Sequence, residues 1–221
     1  MKLKKQFTEQ DLARIKAAVS AAEDKISGEV VPVIVERSGF YTIANYKASI
    51  IFAAMAFVFM IILDRYIINA NASNTLYYDP VFIFVVVAFA GVIGAVLPNF
   101  LDPLKRLLIT QEQLDQSTRV RAENAFLEEE VFNTKQRTGI MIFISFFEHE
   151  VIVMADKGIT KVVEQQEWDR IVAGLIANIR AGRIVEGLEA AIKRCGEILL
   201  EKGFTKTDDD TNELGDDLRI N

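Results

Sequence analysis

Few residues in this chain are suited to covalent chemistry: its 221 residues include one cysteine, Cys195, and one histidine, His149. A cysteine phosphatase needs a reactive thiolate in a phosphate-cradling loop with an arginine close behind. Cys195 is instead followed by Gly-Glu-Ile-Leu-Leu-Glu and falls on the apolar stripe of an expected helix, which predicts a small buried thiol. His149 lies between Glu148 and Glu150 in an expected turn, a solvated position. An aspartyl-phosphate enzyme needs its nucleophile at a strand end, and Asp208 and Asp210 have no strand before them. Zinc sites take several Cys or His ligands, and no GxxxxGK loop or Gly-rich strand-to-helix turn is present. What remains is a hard cation held by carboxylates. Asp156 is the candidate ligand, with Glu164 and Glu167 near in sequence; its competing role is to cap the turn at Lys157-Gly158. Arg137 suits an anion such as phosphate, or more simply pairs with a local carboxylate.

Those residues belong to a chain of net charge −6 and pI near 5.0, which argues against a nucleic-acid partner. A single cysteine allows no internal disulfide and fits a reducing compartment. The apolar content, 51%, is concentrated between residues 48 and 101. Residues 48–63, ASIIFAAMAFVFMIIL, and 81–97, VFIFVVVAFAGVIGAVL, carry no charge. Each can extend by about a turn toward the roughly 20 residues that a ~30 Å hydrocarbon layer requires. The twelve Val, Ile, Leu and Phe residues of the second run favour insertion by about 5 kcal/mol at most. A chain of this length has little material to bury two helices that are apolar all round. The sequence therefore predicts a two-span membrane hairpin.

The charge pattern sets the expected orientation. The connection between the spans carries only Arg65 as a positive charge, whereas Arg37, Lys47, Lys105, Arg106, Arg119 and Arg121 flank the pair. By the positive-inside rule both termini and the flanking domain are cytoplasmic, in a cell membrane. Tyr46, Tyr66, Tyr77 and Tyr78 fall where interfacial aromatics belong, and Asn71-Ala72-Ser73 matches a glycosylation sequon. The opening MKLKKQFTEQDLARIK has no apolar run after its lysines, unlike a signal peptide.

Outside the hairpin, Thr8 is an expected N-cap for a helix with Leu12, Ile15, Val19, Ala22 and Ile26 on one face. EVVPVIVE, residues 29–36, reads as a strand, and Pro32 predicts an edge or irregular one. Asp102-Pro103 should break the second span, and Thr110 with Gln113 should cap a helix reaching about residue 132. GIMIFISFF and VIVMA, residues 139–147 and 151–155, read as a central β-hairpin turning at residues 148–150. Two amphipathic helices follow, the first containing Trp168 and ending at Gly182, the second ending at Gly203. Residues 205–221 are acidic and poor in apolar residues, which predicts a disordered tail. The expected organisation is a small αβα sandwich formed by residues 1–47 and 102–204, interrupted by the transmembrane hairpin at 48–101.

RTGIMIFISFFEHEVIVMADKGI, residues 137–159, resembles the TPM domain family of bacterial envelope and thylakoid lumen proteins. Arg137, Gly139, Asp156, Gly158-Ile159 and Trp168 match its pattern, as do Gly28-Glu29 before the first strand and Gly187 in the closing helix. Most relatives hold this domain outside the cytoplasm, with membrane helices at the ends rather than within the domain. The resemblance implies an accessory role, with acid phosphatase activity or calcium binding described for some members. Since no nucleophile machinery is evident, the expectation is a non-catalytic adaptor in the assembly, stability or regulation of a membrane protein complex, without a cofactor. The alternative is a metal-assisted phosphatase or calcium module centred on Asp156. The oligomeric state is left open.

Overall fold

The computed structural model describes residues 6–66, 79–206 and 212–221. The expected interfacial residues Tyr77 and Tyr78, the sequon at 71–73, and Asp208 and Asp210 lie outside the described residues, as does the side chain of Tyr66. The architecture is mixed α/β, with eight helices and one four-stranded sheet among the described residues. The chain divides into two compact units, Met1–Gly39 with Asp115–Asn221, and Phe40–Leu114.

In the first unit, α1 (Glu9–Glu23) starts at a reciprocal cap between Thr8 and Asp11. β1 (Glu29–Val35) runs parallel to β2 (Gly139–Ser145), Glu29 opposite Gly139 and Val35 opposite Ser145. β2 pairs antiparallel with β3 (Glu150–Ala155). The sheet order is β3-β2-β1-β4, where β4 is Arg219–Ile220. α5 (Gln111–Glu128), the short α6 (Lys157–Thr160), α7 (Gln165–Arg180) and α8 (Ile184–Glu201) complete the fold. Strand alternation sorts the core into two layers. Val30, Ile34, Ile140, Ile142 and Ile144 meet α1, α7 and α8, while Val31, Val33, Val35, Met141 and Phe143 meet Ala122 and Ala125 of α5. Gly182 and Gly203 end α7 and α8 with positive φ, as their sequence positions predicted.

Three local expectations are corrected. β1 is interior rather than an edge. Ile34 and Glu36 bond toward β4 through the backbone of Asn221. Alternation aims Pro32 the same way, beyond the two residues that β4 supplies, so its missing N–H breaks no ladder bond. The β2–β3 hairpin is not central: β3 is the edge strand and is only half-buried. The expected disordered tail ends in β4, because Leu214, Leu218 and Ile220 find apolar surface on the two cores.

The second unit holds α2 (Thr42–Tyr66), α3 (Pro80–Val96), a 3-10 turn (Leu97–Asn99) and α4 (Asp102–Leu107). Asp79 caps α3 by accepting the Val81 N–H at 2.7 Å, with Pro80 in the first turn. Gly91 faces Ser49 and Ala53, and a Cβ on Gly94 would lie 2.6 Å from the Ala48 carbonyl oxygen, so the small residues bring α2 and α3 together. Asn45 donates to Asn99 at 3.0 Å, as does Lys105 at 3.3 Å. Asp102-Pro103 opens α4 rather than merely ending a helix, since proline suits a first turn.

Candidate functional site

The sequence-derived candidates converge on the end of β3. Arg137 has φ 58° and donates its N–H to the Thr134 carbonyl at 3.1 Å. That conformation lets its guanidinium meet Asp156: Nη2 donates to Oδ1 at 3.1 Å, and Nε lies 2.7 Å from Oδ2. Asp156 is buried and caps α6, its Oδ1 accepting the Lys157 N–H at 2.7 Å. Gly158 returns its N–H to the Arg137 carbonyl at 3.0 Å. A Cβ there would lie 2.5 Å from that same oxygen, and one on Gly139 would lie 1.9 Å from the Val131 carbonyl oxygen. Trp168 is buried in the core beneath. Arg137, Gly139, Asp156 and Gly158 thus form one tightly packed turn junction.

This junction suits a structural role better than a metal site. Both Asp156 oxygens face Arg137, and a cation would have to displace the guanidinium. Glu167 is engaged elsewhere, with Arg170 at 2.7 Å and Arg194 at 3.1 Å, and Glu164 begins α7. Among the described residues no three His, Cys, Asp or Glu side chains are grouped to hold a metal ion. His149 is exposed, in the left-handed region at φ 57° within the 146–149 turn. Cys195 is 0% exposed on α8, and burial pushes its thiol up to about 12, far from a reactive thiolate.

Two acidic groups escaped the sequence reading. At the β2–β3 turn, wholly buried Glu148 accepts from the Ser145 hydroxyl and from the Ser38 N–H at 2.9 Å. Glu150 beside it is pushed up to about 7 by burial, with the hydrogen-bonded Asp115 carboxyl adding to the rise and Thr118 opposing it. At the other end of the sheet, Glu23 Oε1 accepts the Val30 N–H at 2.9 Å, while Oε2 is buried with no hydrogen-bond partner among the described residues. Burial raises Glu23 to about 8, with Glu29 and Asp216 reinforcing the shift and Lys206 opposing it. Glu29 is also buried and accepts the backbone N–H groups of Glu213 at 3.0 Å and Leu214 at 3.4 Å. One signal for Glu23 was available: it lies four residues after Val19, on the buried face of α1.

A parallel β1–β2 pair with helices on both faces, its turns closed by the Arg137–Asp156 junction, defines a small α/β domain with a long insertion. Residues 106–198 match the family model of the TPM domain. The match takes in the whole junction, whereas Gly28-Glu29 lies before it. Among solved structures, the NMR structure of the BA42 protein from the psychrophilic bacterium Bizionia argentinensis is similar, with TM-score 0.58 and 17% identity. That alignment covers 97% of this chain and 95% of BA42, and the likeness is one of fold. No curated protein matches the chain.

Proposed function

We propose that this chain is an integral membrane protein in which α2 and α3 anchor the TPM-bearing unit, and that it serves as a non-catalytic adaptor in a membrane protein complex. The observation that carries this reading is the unburied apolar surface of the second unit. Thr42–Leu63 and Pro80–Asn99 have mean hydropathies of 2.2 and 2.7, yet only 6% and 11% of their most apolar windows are buried. Ile50, Phe84 and Phe89 are each about two-thirds exposed or more, at 71%, 70% and 66%. Helices of 22 and 20 residues span roughly 30 Å, the thickness of a hydrocarbon layer. Water would penalise such surfaces and lipid would not. The positive flanks, with Arg37, Lys47, Lys105 and Arg106, support an orientation with the α/β unit on the cytoplasmic side of a cell membrane.

The adaptor role is supported by how the reactive candidates are used. Cys195 is buried, and Asp156 and Arg137 hold each other. The direct test is affinity purification of the tagged full chain in mild detergent, with mass spectrometry of what accompanies it. A stoichiometric membrane protein, lost when residues 48–101 are exchanged for an unrelated hairpin, is the expected result. Recovery of the chain alone, even after crosslinking, refutes the adaptor role. Release of the chain from membranes by alkaline carbonate refutes the anchor.

A further inference from the structure

The outer edge of β1 has an unusual occupant. Along this edge, even-numbered residues present their backbone groups. The Val30 N–H is taken by Glu23, Pro32 has no N–H, and Asn221 donates to the Ile34 carbonyl at 3.0 Å while accepting from the Glu36 N–H at 3.4 Å. Only two residue pairs make the β1–β4 ladder, Val33 with Arg219 and Ile34 with Ile220. Elsewhere residues 212–221 are held by Glu29, which grips two backbone N–H groups, by Glu213, which accepts the Lys135 N–H at 3.0 Å, and by the apolar contacts of Leu214 and Leu218. An exposed Lys16–Asp217 pair at 2.9 Å and the Arg219–Glu129 pair at 3.1 Å add to this. Exposed pairs of the first kind hold weakly.

The fit is also incomplete. A cavity of about 70 Å³ lined by Glu23, Glu29, Lys206 and Asn212 lies beside the segment, and Glu23 Oε2 is buried without a hydrogen-bond donor among the described residues. The segment instead brings the Asp216 carboxylate near Glu23, which helps to keep the Glu23 carboxyl protonated, whereas a basic side chain there could pair with it.

We propose that this edge of β1 is a docking slot for an extended segment of a partner protein, and that residues 212–221 occupy it as a displaceable strap. The partner segment pairs with Val33 and Ile34 through an apolar–Arg–apolar run, as Leu218, Arg219 and Ile220 do. It carries a basic side chain where the strap carries Asp216. Strand addition to a sheet edge supplies the affinity through backbone bonds, and the flanking side chains supply selectivity. The inference goes beyond the adaptor reading and stands whether or not the hairpin crosses a membrane.

The test uses a chain shortened to end at Lys206, in detergent micelles, with Trp168 emission reporting that the unit is folded. Labelled peptides spanning residues 212–221 are titrated by fluorescence anisotropy, in the native sequence and with Asp216→Lys or Ile220→Asp. The expected result is saturable binding of the native peptide, at least threefold tighter binding of Asp216→Lys, and none of Ile220→Asp. The full chain should bind at least tenfold more weakly. A folded shortened chain that ignores the peptides, or that binds no better than the full chain, overturns the proposal. If shortening unfolds the unit, the peptides are titrated against the full chain carrying Arg219→Ala with Ile220→Asp, and absence of binding there overturns it equally. Exchange of straps between two copies without peptide binding assigns the slot to a second copy and also overturns it.

Discussion

Replacing Glu23 with glutamine tests the physical reading of the α/β unit most directly. Glu23 is 7% exposed, and its carboxyl is raised from 4.5 to about 8, chiefly by burial. An acid whose folded pKa exceeds its unfolded value holds a proton in the native state that the unfolded chain releases. Stability from this group is therefore fully present below pH 4.5 and is lost as pH rises toward 8. At about 1.4 kcal/mol per pH unit, the whole displacement amounts to at most about 5 kcal/mol, of which about 2–3 kcal/mol falls between pH 5.5 and 7.5. Glutamine keeps an acceptor for the Val30 N–H and cannot ionise. The two proteins should have similar stability at pH 5.5 and diverge by about 2 kcal/mol in favour of Glu23→Gln by pH 7.5. The assay is guanidinium unfolding of the full chain in micelles at several pH values, followed by the emission of Trp168, the single tryptophan. Glu150, raised to about 7, adds a parallel slope to both proteins, so the difference between the curves isolates Glu23. Curves that stay parallel from pH 5.5 to 8 refute the reasoning.

Four further outcomes follow from the geometry. Cys195 should resist alkylation in the native protein at pH 8 and react only at the rate of unfolding, while Cys195→Ser should cost about 1–3 kcal/mol in denaturant titration by burying an unserved hydroxyl. Arg137→Ala leaves the buried Asp156 carboxylate without its cation; with Arg137 half exposed the loss should be about 1–3 kcal/mol, and Arg137→Lys should recover part of it in thermal unfolding. Gly139→Ala drives a methyl into the Val131 carbonyl and should cost about 3 kcal/mol or more, read as loss of the native Trp168 emission. Gly94→Leu cannot fit against Ala48, so a crosslink engineered between α2 and α3 should form in the parent and fail in the variant.

Much of the fold was legible because local signals agreed with tertiary need. The Thr8 cap, the stripe of α1, the apolar runs of β1 and β2, and the glycines ending α7 and α8 each carry their own physical cause. What failed was context. Pro32 speaks for an edge only if a full strand would otherwise lie beside it, and β4 is too short to reach it. Residues 212–221 look disordered by composition, yet three apolar side chains and two backbone donors to Glu29 are enough to seat them. Arg137, Gly139, Asp156 and Gly158 lie together at one junction, but spacing could not show that Arg137 and Asp156 face each other. The acidic sites at Glu23 and Glu148 depend on burial, which a charged residue does not advertise.

The position of the insertion has a physical logic of its own. Parallel strands cannot be joined by a tight turn and require a long crossover. β1 and β2 are such a pair, and residues 36–138 form their connection. Its last part, α5, returns to cover the sheet face left bare by α1, α7 and α8. The remainder is unconstrained by the sheet, and lengthening an existing long connection costs little extra closure entropy. Adding the α2–α3 hairpin there leaves the β1–β2 register intact. It also joins the two units through two chain connections. A single cut in residues 40–114 would leave both ends of the sheet crossover attached to the α/β unit, whereas the same hairpin at a terminus would be shed.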